Sequence, residues 1–306
     1  MSMNGNTLRL KGRDVETNLM EIPSCPVCQS KKSVRKIINR DYQLTKCLDC
    51  GLLWDSAPPL DTSALYEEEY YNSSLLKGGY GNYSQAMKLN SKTFRHRLIS
   101  SQSKIASKGW LLDVGCALGD CLIHAKDLGW EHPLGLDVSE FAIKFAGSRD
   151  LSVFCGSLVN HSFQLNSFDL LLLQDVIEHI ADPLSHLKAA YQLLKPGGWI
   201  YVVTPDVEGL WSKLLGSHWY HYKPKEHLTY FSKSTMKLSL HQSGFTNMQL
   251  KSAVSFMSIG YVFERMRYYQ PTVFLALMRT FQSIGLGDLV IPFNIGELEA
   301  WGQKPI

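Results

Sequence analysis

Four of the seven cysteines stand as Cys25-x2-Cys28 and Cys47-x2-Cys50 with eighteen residues between the pairs, which is zinc-ribbon spacing. Two residues between thiolates let one tight turn aim both sulfurs at a single tetrahedral ion, and two such turns close a four-thiolate shell with no open position. Such a shell is structural rather than catalytic. Pro26 inside the first knuckle and Gly51 just after the second carry turn chemistry, with Gly51 suited to the φ > 0 that wraps backbone around a metal. From Ile22 to Ala57 six Lys or Arg face three Asp, but four thiolates and a dication reduce the balance to about +1. A solvated face, not an RNA-gripping finger, is the expected surface.

A second group of residues has the types for proton transfer. Asp175, Glu178 and His179 follow an apolar run at i, i+3, i+4, which on a helical turn puts them on one face. His179 can accept a proton near neutral pH with Glu178 or Asp175 orienting it, the same trio can ligate a divalent ion, or His179 can merely buttress the turn. Glu226 and His227 lie in an aromatic-rich stretch, LWSKLLGSHWYHYKPKEHLTYFS, with Tyr222 a further candidate base and three of the ten histidines. This stretch reads either as a lid that excludes water and offers flat faces to a substrate, or as plain aromatic packing onto a sheet.

A third group binds rather than reacts. LLDVGCALGD, residues 111–120, passes from an apolar run through Asp113 to a turn with Gly115 and Gly119. Glycines there let backbone approach a ligand, and the following helix aims N–H groups at it. A phosphate loop would need Gly-Lys-Ser or Gly-Lys-Thr, whereas Asp120 follows Gly119, a charge compatible with an ammonium-bearing ligand. Asp137 ends the next strand, where an acid can accept both ribose hydroxyls.

These residues need a scaffold, and the pattern supplies one. Strands are expected at Leu111–Val114, Leu134–Leu136, Ser152–Cys155, Phe168–Leu173 and Trp199–Val203, the fourth an apolar run buried on both faces. Helices are expected at about 85–106, Cys121–Leu128, Glu140–Ala146 and from Pro183, with Asp182 as N-cap and Lys195-Pro196-Gly197-Gly198 as the closing turn. Strand and helix alternation means α/β, a doubly wound, mostly parallel sheet with ligands at the carboxyl ends of the strands.

The runs DVGCALG, LGLDVSE, FDLLLLQDVIEHIADP, LLKPGGWIYVVTPD and EHLTYFS resemble those of class I S-adenosylmethionine-dependent methyltransferases, a Rossmann-like fold. With a zinc ribbon in front, the chain is similar to bacterial sugar and small-molecule methyltransferases. The resemblance implies a cofactor shell of Asp113, Gly115, Cys116, Ala117, Gly119, Asp137, Val138, Ser157, Leu158, Gln174 and Asp175. Within it the glycine turn receives the methionine end, Asp137 the ribose, and Ser157-Leu158 borders the adenine; Ser157 stands where the family often has an acid. It also implies Glu178, His179, Tyr222, Glu226 and His227 near the acceptor, a structural Zn2+ on the cysteines, and Mg2+ at a segment similar to the D/E-x-x-E-H of ubiquinone-pathway O-methyltransferases.

The expected organisation is a tail (1–21), the ribbon (22–57), a tyrosine-rich connector and leading helix (58–106), and a main domain (107–306) with insertions at 207–232 and 254–293. The latter reads as an apolar helical hairpin that covers the site, pairs two subunits in a homodimer or rests on a membrane surface, interior packing being the default. At 45% hydrophobic and 19% charged, the 306 residues are not a disordered chain, and a net charge of +3 argues against an obligate nucleic-acid binder. No apolar run spans a bilayer and the start lacks a secretory core, so a cytoplasmic protein with reduced thiols is expected. The expected function is methyl transfer to a small molecule, sugar or glycan-pathway intermediates first. The alternatives are an rRNA base methyltransferase, and a non-catalytic zinc-ribbon module on a degenerate methyltransferase fold.

Overall fold

The computed structural model describes residues 23–39, 42–58 and 83–306; the expected tail and the connector tyrosines Tyr66, Tyr70, Tyr71 and Tyr80 lie outside these described residues. After the first cysteine knuckle come β1 (Ser33–Asn39), β2 (Tyr42–Cys47) and β3 (Leu53–Trp54). β1 and β2 pair antiparallel with Ser33 opposite Cys47. Gly51 sits at φ 86° between the second knuckle and β3, the left-handed conformation that a side chain resists.

The helix α1 (Tyr83–Gln102) leads into the main domain, which runs β4 (Trp110–Val114), α2 (Asp120–Asp127), β5 (His132–Asp137), α3 (Glu140–Ser148), β6 (Ser152–Cys155) and β7 (Phe168–Gln174). A 3-10 turn, Ile177–His179, then precedes α4 (Pro183–Leu193) and β8 (Leu194–Pro205). The Asp182 side chain accepts from Ser185 N at the start of α4, with Pro183 in the first turn, as an N-cap and N1 proline should. β8 begins five residues earlier than the sequence pattern suggests, at Leu194 rather than Trp199. Phe168 pairs Leu194, the register shifts, and pairing resumes at Leu170 with Trp199. Gly197, at φ 80°, lets the chain bulge out there instead of ending the ladder.

After β8 come α5 (Leu210–Leu215), β9 (Thr229–Tyr230), α6 (Lys233–Gln242), β10 (Thr246–Ser252), β11 (Ser255–Ser258), α7 (Ile259–Met266), α8 (Pro271–Ser283), β12 (Val290–Phe293) and β13 (Glu297–Gln303). The main sheet has the order β10-β13-β8-β7-β4-β5-β6. β13 is antiparallel to both neighbours and the strands from β8 to β6 are parallel. Leu112, Val114, Leu171, Leu173, Ile200 and Val202 fill one face, and Leu111, Leu170, Leu172, Tyr201 and Val203 the other. Helices cover both, which is why these strands are apolar at nearly every position.

Two insertions depart from expectation. The stretch 207–232 joins the main-sheet core through Phe231 but packs most of its aromatics elsewhere. Its strand β9 completes a second sheet of order β1-β2-β3-β9, and Trp219 and Tyr230 share a core with Ile38, Tyr42, Leu44 and Leu53 of the ribbon. The stretch 254–293 is a helical hairpin on a two-stranded base, β11 against β12, but interior packing is not its fate. Among the described residues none of α7 or α8 is buried. No described helix is long and apolar enough to cross a membrane.

Candidate active site

The carboxyl ends of β4, β5 and β7 meet at one edge. Past β4, Gly115 N and Cys116 N both donate to Leu136 O, at 2.7 and 3.2 Å, tying the turn to β5. Gly115, Ala117 and Gly119 have φ of 70°, 46° and 87°. A Cβ on Gly115 would collide with Val176 Cγ2, and one on Gly119 with Leu151 Cδ1. Gly115 is thus required by the residue after Asp175, not only by the path of a ligand.

Asp137 Oδ2 accepts from Ala117 N and Oδ1 from Ser139 N, each at 2.9 Å. A carboxylate oxygen has a further lone pair, so both stay able to accept from a ligand. Asp113 is buried beneath, its carboxyl pushed up to about 7 by burial and by the Asp137 charge. Gln174 Nε2 donates to Cys121 Sγ at 3.4 Å, while Gln174 Oε1 is buried with no partner among the described residues. An orphaned acceptor at a strand's carboxyl end is the kind of group a bound amine satisfies. Val138 is 42% exposed and Leu158 is buried, and Ser157 bridges Asn160. The Asp120 charge, expected to face a ligand, is instead met by Arg149 Nη1 at 2.8 Å.

The trio after β7 separates. Asp175, at φ 58°, accepts at Oδ2 from Arg97 Nη1 at 3.1 Å, and Arg97 Nη2 donates to Glu297 at 2.6 Å and to Ser255 Oγ at 3.1 Å. Asp175 therefore does not orient His179. Glu178 turns inward, where Thr204 Oγ1 donates to it at 2.9 Å and burial pushes its carboxyl up. His179 Nδ1 lies 2.9 Å from Glu226 O, and its ring meets that of His227 edge-on with centroids 4.8 Å apart. The structure thus assembles Glu178, His179 and His227, whose donor atoms all lie within 4.8 Å of one another. Burial, and secondarily Lys223, lower His179 to about 4; burial and the neighbouring His179 lower His227 well below the usual imidazole range. Burial favours the neutral imidazole at both, a form that can ligate a metal or accept a proton, while the same burial weakens each ring as a base.

Glu226 contributes its backbone; its carboxylate sits 3.7 Å from Lys223 Nζ. Tyr222 packs between Trp219 and Tyr230, at centroid distances of 5.3 and 5.4 Å, and burial raises its phenol, which holds the proton on rather than taking one off. The sequence reading missed Arg97, Tyr42, Tyr230 and His221. His221 was in view among the lid histidines, and its ring stacks 6.1 Å from His227. Arg97 had no local signal, since its partners lie 78 and 200 residues away.

The cysteines converge as their spacing demands. Cys25 Sγ is 3.6 Å from Cys50 Sγ and Cys28 Sγ 3.4 Å from Cys47 Sγ. A tetrahedron with Zn–S bonds of about 2.3 Å has edges of about 3.8 Å, so the four sulfurs fit one zinc with small adjustment. Cys50 N points at Cys47 Sγ from 3.5 Å, and the hydrogen bond between Cys25 and Cys50 lowers the first thiol and raises the second.

A doubly wound parallel sheet, a glycine turn after its first strand and an acid ending its second define a nucleoside-binding α/β fold of the class I methyltransferase type. A family model described as "Methyltransferase domain" matches residues 88–250, more than half of the chain, and the chain belongs to that family. Among curated proteins it is 30% identical to a ubiquinone biosynthesis O-methyltransferase of Nitrosospira multiformis over 115 residues, covering 35% of this chain and 46% of that one. It is also 30% identical to phosphoethanolamine N-methyltransferase 1 of Arabidopsis thaliana over 98 residues, 30% of this chain and 20% of that one. The chain thus spans less than half the length of these relatives. In fold it is similar to a SAM-dependent methyltransferase of Archaeoglobus fulgidus, with a TM-score of 0.52 and 17% identity over 72% of this chain and 98% of that one. A SAM-dependent methyltransferase of Thermotoga maritima gives a TM-score of 0.51 and 17% identity over 72% and 93%.

Proposed function

We propose that the chain transfers a methyl group from S-adenosylmethionine to a small-molecule acceptor, with a sugar or glycan-pathway intermediate as the first candidate. The observation that carries this reading is a ligand-ready edge, made of the Gly115–Gly119 turn, Asp137 and the orphaned Gln174 Oε1, on the same chain turn as a half-buried His179 whose ring meets the buried His227. Of the two curated relatives one is named for phosphoethanolamine and one for ubiquinone biosynthesis, which supports a small-molecule acceptor.

The bound cofactor supplies an already activated methyl, so the protein has to orient the acceptor and remove its proton. Asp137 would accept from the ribose hydroxyls, Gln174 Oε1 and Asp113 from the ammonium, and Val138 and Leu158 would flank the base. His179 or His227 would take the acceptor's proton, with the Glu226 carbonyl fixing the His179 ring. Two imidazoles and a carboxylate would also hold a divalent ion, and that donor set is softer than magnesium prefers; turnover surviving EDTA would set the ion aside.

Asp137→Ala removes a charge-assisted acceptor and should weaken S-adenosylmethionine binding by about 1.5–3 kcal/mol, read by calorimetry; an unchanged dissociation constant would sink the assignment. Gly115→Val should abolish binding, because strain at φ 70° and the clash with Val176 displace the turn itself. The function is tested by incubating candidate acceptors with the cofactor and seeking the mass gain of one methyl group. A protein that neither binds the cofactor nor turns over would instead be a binding module on a degenerate fold.

A further inference from the structure

The histidine-bearing segment His227–Phe231 is gripped from two sides. On one side Leu228 N donates to Glu178 O at 2.6 Å and Thr229 Oγ1 to Ile177 O at 3.1 Å, which locks it to the turn carrying His179. On the other side lies the ribbon. Leu53 and Trp54 pair with Tyr230 and Thr229 in the β3–β9 ladder, and Asp55 N donates to Leu228 O at 2.8 Å. The ribbon is therefore the outer wall of the segment whose first residue is His227, and not an appendage hung on the far end of the chain.

One ribbon side chain reaches the histidine itself. Tyr42, 6% exposed, donates its hydroxyl to His227 O at 3.4 Å and shares a hydrogen bond of 2.8 Å with the Tyr230 hydroxyl. The Tyr230 ring in turn lies 6.0 Å from the His227 imidazole. Burial keeps the Tyr42 phenol protonated, so it remains available as a donor. A tyrosine serving only as core filler could be phenylalanine, since its ring already packs with Leu44, Leu53 and Trp219. The oxygen adds something that packing does not require. Among the described residues it is the one ribbon side-chain donor directed at the backbone of the histidine.

We propose that Tyr42 is a positioning residue whose hydroxyl, with Tyr230, fixes the His227 backbone and so the angle at which its imidazole meets His179. This deepens the proposed function, because it rests on that reading for the role of the pair, but the orientation can be read without turnover.

Tyr42→Phe keeps the ring and removes the oxygen. In the zinc-loaded full chain its dissociation constant for S-adenosylmethionine should stay within about twofold of wild type, since no cofactor residue is touched. The imidazole resonances of His227 in histidine-selective 15N spectra, assigned by their loss in His227→Gln, should shift or split, while those of the exposed His218 stay in place. Tyr230→Phe removes the other hydroxyl of the pair and should move the same His227 signals, which keeps the test open if Tyr42→Phe does not fold. His227 signals unchanged in the folded variants overturn the proposal. If they move but His227→Ala retains the wild-type rate on an identified acceptor, the positioning stands and the proton-accepting role of His227 fails.

Discussion

Cys47→Ser is expected to bind far less zinc than wild type and to lower the melting temperature by roughly 7–14 °C. The ribbon has little apolar core of its own, and a zinc ion on its four thiolates would supply folding free energy that so small a unit lacks. Leu52, Leu53 and Trp54 are each buried to 3% exposure or less. They stop being covered once the second knuckle opens. Uncovering such side chains costs about 1.5–3 kcal/mol apiece, and the sum of about 4.5–9 kcal/mol corresponds to roughly 7–14 °C in a chain of this size. Since Leu52 and Trp54 share a core with the main sheet and Leu53 with the lid aromatics, the loss spreads beyond the ribbon. Cofactor affinity should change far less, because the glycine turn and Asp137 touch no ribbon residue in any described hydrogen bond. Elemental analysis and calorimetry check this together. A variant that is metal-free yet as stable as wild type would show that the four thiols hold nothing structural.

His179→Ala and His227→Ala should each fold and bind S-adenosylmethionine, and at least one should lose about 10²-fold in turnover, the lower range for a general base. The contact between the rings sharpens the expectation. Groups that act as a unit are not additive, and with centroids 4.8 Å apart the double variant should fall little below the worse single one. Losses that multiply would mean two independent roles, such as one base and one substrate contact. Wild-type rates in both single variants would place proton removal elsewhere. Methyl gain followed over time by mass spectrometry on an identified acceptor provides the rates.

The sequence by itself determined whatever depends on neighbours along the chain. The cysteine spacing, the glycines at 115 and 119, Asp137 at a strand's end, the Asp182 cap and the apolar runs of β4, β5 and β7 are local patterns, and the structure places each as expected. The doubly wound sheet follows from them, because alternating strand and helix periods leave few topologies open. Tertiary structure decided the contacts between distant segments. Three acid-base residues at helical spacing looked like one constellation, yet Asp175 is drawn away by Arg97 on α1, and His227, 48 positions after His179, completes the group instead. The aromatic insertion gave no hint of its surface. It closes on the ribbon because two-residue strands such as β3 and β9 cannot satisfy their backbone groups alone, and Trp54 meets Thr229 from 175 residues away. Hydrogen-bonding demand is written at every position, but which partner meets it is settled only when the whole chain has folded.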